Sequence, residues 1–250
     1  MNSYRVDLEL RSGVSTPLAA DTLWGHIAWG IRYHEGETSL RSWLERYDDG
    51  EPPIVLSDPV PAGWWPAPTL PPPATPAAPP TLKEADLQKQ RSRRAWVCHK
   101  DWNSVAGGLS AEAMLALPIS SPEAGVRVPI AHAAINRLSN GTAQEGGGTL
   151  YTRRRTFFAD PNRFDVWVLA DAPADTIRQW FNWGLLGGYG KHASSGAGHL
   201  VVCGVYEESF PTPSKPNAGL LLAAATPTKS DPHKGFVSIG VRCGRLGGLF

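Results

Sequence analysis

Residues 187–198 read Gly-Gly-Tyr-Gly-Lys-His-Ala-Ser-Ser-Gly-Ala-Gly. Glycine at this density lets the backbone take positive φ and approach a ligand closely. The free amides such a loop offers, with the Ser194 and Ser195 hydroxyls and the Lys191 ammonium, suit a phosphate-rich ligand. The bland alternative is a flexible connection between two elements. A nucleotide phosphate loop of the G-x-x-x-x-G-K-[ST] type does not fit: Leu185 stands five residues before Gly190, and His192 stands where a hydroxyl is required. No G-x-S-x-G nucleophile elbow is present. A second cationic group, Arg153-Arg154-Arg155, lies between Tyr151 and Phe157-Phe158. Cations beside aromatics suit phosphates and base faces of a single strand; the alternative is a solvated strand edge. His26, His132 and His192 are the histidines weighed as general acid or base, and Asp48 and Asp49 the carboxylates weighed for a cutting loop, but no motif pairs any of them with a nucleophile. Cys98, Cys203 and Cys243 are isolated and lack metal-ligand spacing. No catalytic residue, metal or cofactor is therefore expected.

The elements around the loop are legible. Pro173 to Leu186 predicts a helix, with Asp175 as its cap, and His199 to Tyr206 a strand. Phe164 to Leu169 is a strand before that helix. At the start of the chain, Tyr4, Val6, Leu8 and Leu10 alternate as one strand face. Asp21 or Thr22 is placed to cap a helix carrying Trp24, Ile27, Ala28 and Ile31. A second helix follows near Leu40 to Tyr47, then a short strand Ile54 to Leu56. Both principal helices open on Ala-Asp-Thr, at 20–22 and 174–176. Two β-α-β halves make an α+β, ferredoxin-like (RRM-like) sheet on two helices. Single-stranded RNA is often read on the sheet of this architecture, although fold alone assigns no role.

The expected divisions are 1–58, the first half; 59–160, an insertion; 161–206, the second half with the Gly-rich loop; and 207–250, the start of a second unit. The insertion opens with ten prolines between Pro59 and Pro80, which exclude helix and central strand. Trp64 and Trp65 are expected to pack. Lys83 to Lys100 reads as a solvated basic helix, Ser110 to Leu117 as a short helix, and Val126 to Ile135 as an extended segment. Leu220 to Ala225 and Phe236 to Val241 read as two strands.

A net charge of +1 supplies no global field for nucleic acid. Three sparse cysteines fit a reducing compartment. Met1 leads into an alternating strand rather than a signal peptide, and no apolar run is of membrane-spanning length. A cytoplasmic location without membrane association is the expectation.

The loop resembles the glycine-rich loop of the RAMP superfamily of CRISPR proteins. Four other stretches resemble one branch of it, the fourth subunit of Csm-type (type III) effector complexes. They are Ala20-Asp21-Thr22-Leu23-Trp24-Gly25; Leu56-Ser57-Asp58 with Pro61-Ala62-Gly63 and Pro66-Ala67-Pro68; Ile135 to Thr142 leading to Gly148-Thr149-Leu150-Tyr151; and Gly235-Phe236 leading to Val241 to Gly248. The resemblance implies a RAMP fold and a non-catalytic antiviral-defence subunit that holds the repeat-derived 5′ tag of the CRISPR RNA (crRNA). It further implies contact with backbone RAMP subunits and the large polymerase/cyclase-like subunit, and with target RNA only indirectly. Carried over residue by residue, Gly187, Gly188, Gly190, Lys191, Ser194, Ser195, Gly196 and Gly198 form the RNA-binding loop, with His192 where Lys or Arg is more usual. Asn136, Arg137 and Thr142 are expected near RNA, and Arg153, Arg154 and Arg155 join them on the reading above. The family runs on past the Arg-Leu-Gly-Gly region to complete a second ferredoxin-like unit. A crRNA-processing endoribonuclease of the same superfamily, and a protein-interaction module without RNA contact, are the two alternatives.

Overall fold

Strand β1 (Asn2–Leu10) buries Tyr4, Val6, Leu8 and Leu10 on one face, as its alternation requires. The computed structural model describes residues 1–73, 80–135, 141–144, 147–148, 150–212, 214, 219–231, 235–237 and 239–240. After β1 come helices α1 (Ala20–Glu35) and α2 (Glu37–Asp48), then strands β2 (Ile54–Leu56), β3 (Val60–Pro61) and β4 (Trp64–Pro66). The insertion continues with α3 (Leu82–Ser92), β5 (Trp96–Cys98), α4 (His99–Val105), α5 (Ala111–Ala116), β6 (Val126–Ala133), β7 (Ala143–Gln144), β8 (Gly147–Gly148) and β9 (Leu150–Phe157). Strand β10 (Arg163–Ala170), α6 (Ala174–Leu185) and β11 (Leu200–Glu207) complete the second half.

The chain is an α+β protein. Its main sheet runs β11-β1-β10-β2, with β3 also paired to β10, and every pairing is antiparallel. Each β-α-β unit therefore straddles a strand of the other, the β-α-β-β-α-β connectivity read from the sequence. Helices α1 and α6 cover the Val6–Leu8 face through Leu23, Ile27, Ile31, Ile177 and Phe181.

The two helices cross at glycines. A Cβ on Gly30 would lie 2.7 Å from the Gly184 nitrogen, and one on Gly184 would lie 2.8 Å from the His26 carbonyl carbon. Both obstacles are backbone, so the helices would have to separate. Gly184→Ala is expected to cost about 1–3 kcal/mol by overpacking and to lower the melting temperature by roughly 5 °C in a chain of this size; an unchanged melting curve would contradict this close approach.

Neither Asp21 nor Asp175 is a cap. Both lie in the first turn, and the N-cap residues Ala19 and Pro173 give no side-chain hydrogen bond. The chain enters α1 extended at Ala19, which turns the first helical amide toward the end of β2, where Asp58 Oδ1 accepts from the Ala20 N–H at 2.7 Å. Ser57 Oγ beside it accepts from the Trp167 N–H at 2.8 Å.

The insertion closes a second core of Trp65, Val97, Trp102, Val105, Met114, Leu117 and Trp167. Trp65 stacks on Trp167 with ring centroids 4.8 Å apart, so the insertion packs onto the outer face of β10. On that face Arg5 pairs with Asp165 at 3.0 Å, Arg163 pairs with Asp7, and Asp165 Oδ2 accepts from the Gly63 N–H at 2.9 Å. The sheet face expected to read RNA is thus occupied along β10 by packing and ion pairs. Tyr206 on β11 remains exposed, with the Arg5 guanidinium 4.9 Å above its ring.

Only the first part of the segment Lys83 to Lys100 is the solvated helix expected: α3 has no buried residue and carries a Thr81–Glu84 capping box, but it ends at Ser92, and Trp96–Cys98 is instead strand β5, with Val97 drawn into the second core. Leu220 to Ala225 forms no strand. Leu220 and Leu222 pack against the second core instead, and the Leu222 carbonyl accepts from the Asp58 N–H at 2.9 Å. Phe236 and Val237 are likewise not in a strand, and Ser238 and Val241, which complete that expected element, lie outside the described residues.

Candidate nucleic-acid interface

Helix α6 buries Ile177, Phe181, Gly184 and Leu185 and so aims the chain at the loop. Four loop glycines have positive φ: Gly188 (85°), Gly190 (70°), Gly196 (79°) and Gly198 (68°). His192 joins them at φ 67°, an uncommon conformation for a residue with a Cβ. The loop is clasped to the connection between β1 and α1. The Tyr189 N–H donates to the Gly198 carbonyl (2.7 Å), Gly198 N–H to the Gly13 carbonyl (3.0 Å), Lys191 N–H to Thr16 Oγ1 (2.8 Å) and His199 N–H to Ser12 Oγ (3.0 Å). Tyr189 is fully buried; its hydroxyl donates to the Pro17 carbonyl at 2.7 Å and accepts from the Ala19 N–H at 2.9 Å. Burial pushes that phenol up to about 12.

His26 belongs to the clasp rather than to catalysis. Its Nε2 accepts from the Gly190 N–H at 2.9 Å, which requires a neutral imidazole. Burial holds its pKa below the usual histidine value, opposed in part by a backbone hydrogen bond with Gly184. The unfolded chain therefore takes up this proton first as the pH falls. Stability from neutral His26 is present above about 6.5 and is lost as the pH drops through the depressed folded value. Burial depresses His99 in the same direction. Thermal unfolding is expected to show a melting temperature that falls from pH 7.5 to 5, with a shallower slope in His26→Gln, which keeps an acceptor for Gly190. Equal slopes in the two proteins would remove His26 from this role.

Strands β6 and β9 pair from Val126↔Phe157 to Ala133↔Leu150 and carry the arginines to the loop. Arg153 Nη1 donates to Ser195 Oγ at 3.0 Å, and Arg155 Nη2 to the Ser195 carbonyl at 2.8 Å. The His132 ring stacks on Tyr151 (5.3 Å), and the Arg153 guanidinium lies 5.0 Å from the same ring's centroid. The His192 pKa is lowered, first by desolvation and then by the charges of Arg153, Lys191 and Arg155. None of Lys191, Arg153, Arg154 and Arg155 pairs with a carboxylate among the described residues. The amides of His192, Ala193 and Ser194, at the mouth of a single 3₁₀ turn, have no acceptor among them either. The site can therefore hold an anion against backbone amides, hydroxyls and three cations.

The arginine triplet does not act as a unit. The strand period of two sends Arg153 and Arg155 to the loop and Arg154 to the opposite face. Thr142 is exposed just before β7, and Asn136 and Arg137 lie outside the described residues. Sequence reasoning missed Tyr189, Thr16 and the role of His26. Only an aromatic among the loop's glycines offered a signal. Among the described residues no group of three or more His, Cys, Asp or Glu could hold a metal, and no helix is long and apolar enough to cross a membrane.

No protein-family model matches this chain, and no curated protein matches it. Solved structures do. A chain of the crystal structure of a Csm1-Csm4 cassette in complex with cA4 is 14% identical at a TM-score of 0.43, over 73% of this chain and 65% of that one. One from the same cassette in complex with AMPPNP is 16% identical at a TM-score of 0.41, over 72% and 66%. One from the Csm3-Csm4 subcomplex of the type III-A CRISPR-Cas interference complex is 10% identical at a TM-score of 0.40, over 84% and 70%. The chain thus spans about 65% of the length of the first of these.

Proposed function

We propose that this protein is a non-catalytic, RNA-holding subunit of a type III CRISPR effector ribonucleoprotein. It grips the 5′ repeat-derived tag of the crRNA, caps the filament of backbone RAMP subunits, and stands next to the large polymerase/cyclase-like subunit. The observation that carries the reading is the convergence of Lys191, Arg153 and Arg155 on a fixed loop whose amides at 192–194 have no acceptor among the described residues. The five sequence stretches resembling that subunit, in chain order, supply the complex and the tag. Sequencing the RNA that co-purifies with the chain from its native cell tests it. Short RNAs sharing one 5′ repeat fragment, together with large and backbone subunits, are the expected result; absence of RNA refutes it.

One observation favours the processing endoribonuclease as a second reading. His132 stands near enough to His192 to add to the lowering of the His192 pKa, after desolvation and the charges of Arg153, Lys191 and Arg155, and paired histidines can serve as base and acid in RNA cleavage. Incubating the purified chain with repeat RNA in a chelator separates the two: intact RNA is expected from a holding subunit, and a single cut from the nuclease.

A further inference from the structure

A cleft of roughly 770 Å³ opens on the far side of the β6–β9 hairpin from the Gly-rich loop. That volume lies in the range of small-molecule sites. Its walls are largely apolar, with Val60, Trp96, Phe158 and Phe164 among them. Two cations stand in its lining. Arg154 points here because its neighbours Arg153 and Arg155 take the loop side. Arg127 is opposite Thr156 in the register, which places it on the same face as Arg154. Both are exposed, and neither pairs with a carboxylate among the described residues. Two carboxylates also contribute to the lining. Asp58 is held by the α1 amide, whereas Glu123 is exposed, an acceptor suited to an exocyclic base amine. Ser15 in the wall has a buried hydroxyl with no partner among the described residues. Thr16 belongs to both places: it lines the cleft, and its Oγ1 accepts from the Lys191 N–H of the loop.

Apolar and aromatic walls, two guanidiniums without a carboxylate among the described residues and a few isolated polar groups match an unstacked nucleobase with its phosphate. We infer that this cleft takes one nucleotide, the base between its aromatic walls and the phosphate on Arg127 and Arg154. The nucleotide belongs to the strand whose neighbouring phosphates lie on the Gly-rich loop. The inference rests on the proposed function for the source of that strand, and the cleft's own chemistry asks only for a nucleotide.

The test uses the full chain and single-stranded tag RNA carrying 2-aminopurine at one position at a time. Arg127→Ala/Arg154→Ala is compared with the wild type after matching melting temperatures show that both fold. One position should change fluorescence on binding to the wild type and not to the variant. Affinity should fall roughly tenfold, the worth of about one charge-assisted hydrogen bond. AMP and UMP serve as competitors: failure to reverse the signal assigns the nucleotide to the strand, and reversal assigns the cleft to a free nucleotide. RNA that binds both proteins equally, with no position responding, overturns the cleft and leaves the loop reading standing. Wild-type protein that binds neither RNA nor mononucleotide overturns both.

Discussion

Replacing Lys191, Arg153 and Arg155 together by alanine is expected to weaken single-stranded RNA binding by a hundredfold or more. The same change should reduce the slope of log affinity against log salt by about two. Each phosphate neutralised on a single strand contributes about 0.7 to that slope through counterion release, and three cations are removed. The loss should be nearly uniform across sequences, because phosphate contacts position a strand without reading it. The fold should survive, since none of these side chains belongs to either hydrophobic core. Arg155→Lys is the control: it keeps the charge while giving up the guanidinium fork that reaches the Ser195 and Gly196 carbonyls. Titrations from about 50 to about 200 mM salt give the measurement. A triple variant with the wild-type slope would mean that these cations do not meet phosphates.

The second large effect falls on stability. Gly198→Ala would place a Cβ 2.1 Å from the Tyr189 carbonyl oxygen, at φ +68°. Left-handed backbone costs an alanine about 1–2 kcal/mol, and the clash adds about 1–3 more. The obstacle is the backbone of the residue that anchors the loop, so little relief is available. A loss of about 3 kcal/mol and a melting temperature roughly 6–12 °C lower are expected. Gly196→Ala separates the two causes. Its φ is +79°, but nothing lies within 4 Å of the added carbon, so only the conformational cost of about 1–2 kcal/mol remains. Thermal unfolding of the pair should show Gly198→Ala several degrees below Gly196→Ala; equal shifts would mean that the contact with Tyr189 yields freely.

The parts of this molecule legible in its sequence are those set by short-range pattern. The alternation of Tyr4 to Leu10 predicts β1 and its buried face, and the stripe of Ile177 and Phe181 predicts α6. The two β-α-β halves follow from their order. What the sequence hides depends on contacts between distant residues. Asp21 looks like a cap because it precedes an apolar stripe, yet the acceptor is Asp58, delivered by β2 from 38 residues away. Tyr189 looks like part of a loop built for openness and is instead fully buried. Leu220 to Ala225 has strand composition, but its leucines are claimed by the insertion's core. The candidate site was half legible. Residue types at 187–198 name a phosphate-binding chemistry, whereas the meeting of Arg153 and Arg155 with Ser195 spans about 40 residues and needs the hairpin's register. The same register splits the triplet, which no composition argument can do.

The clasp that fixes the loop contains no formal charge. Tyr189 is bound as a neutral phenol and His26 as a neutral imidazole, and the remaining ties are amides and hydroxyls. The charges stand outside this clasp, with Arg153 and Arg155 set against Ser195 on the other side of the loop. Anchoring and ligand capture therefore answer to different variables. Ionic strength screens the cations and leaves the clasp alone, so, on the proposed function, salt is expected to release a bound strand from a loop that keeps its shape. Proton activity acts the other way round. The clasp is whole only while both rings are uncharged, above the depressed range of His26 and below the alkaline range where Tyr189 ionises, between about 10 and about 12. Salt is the reversible handle on this protein, and extremes of pH are the destructive one.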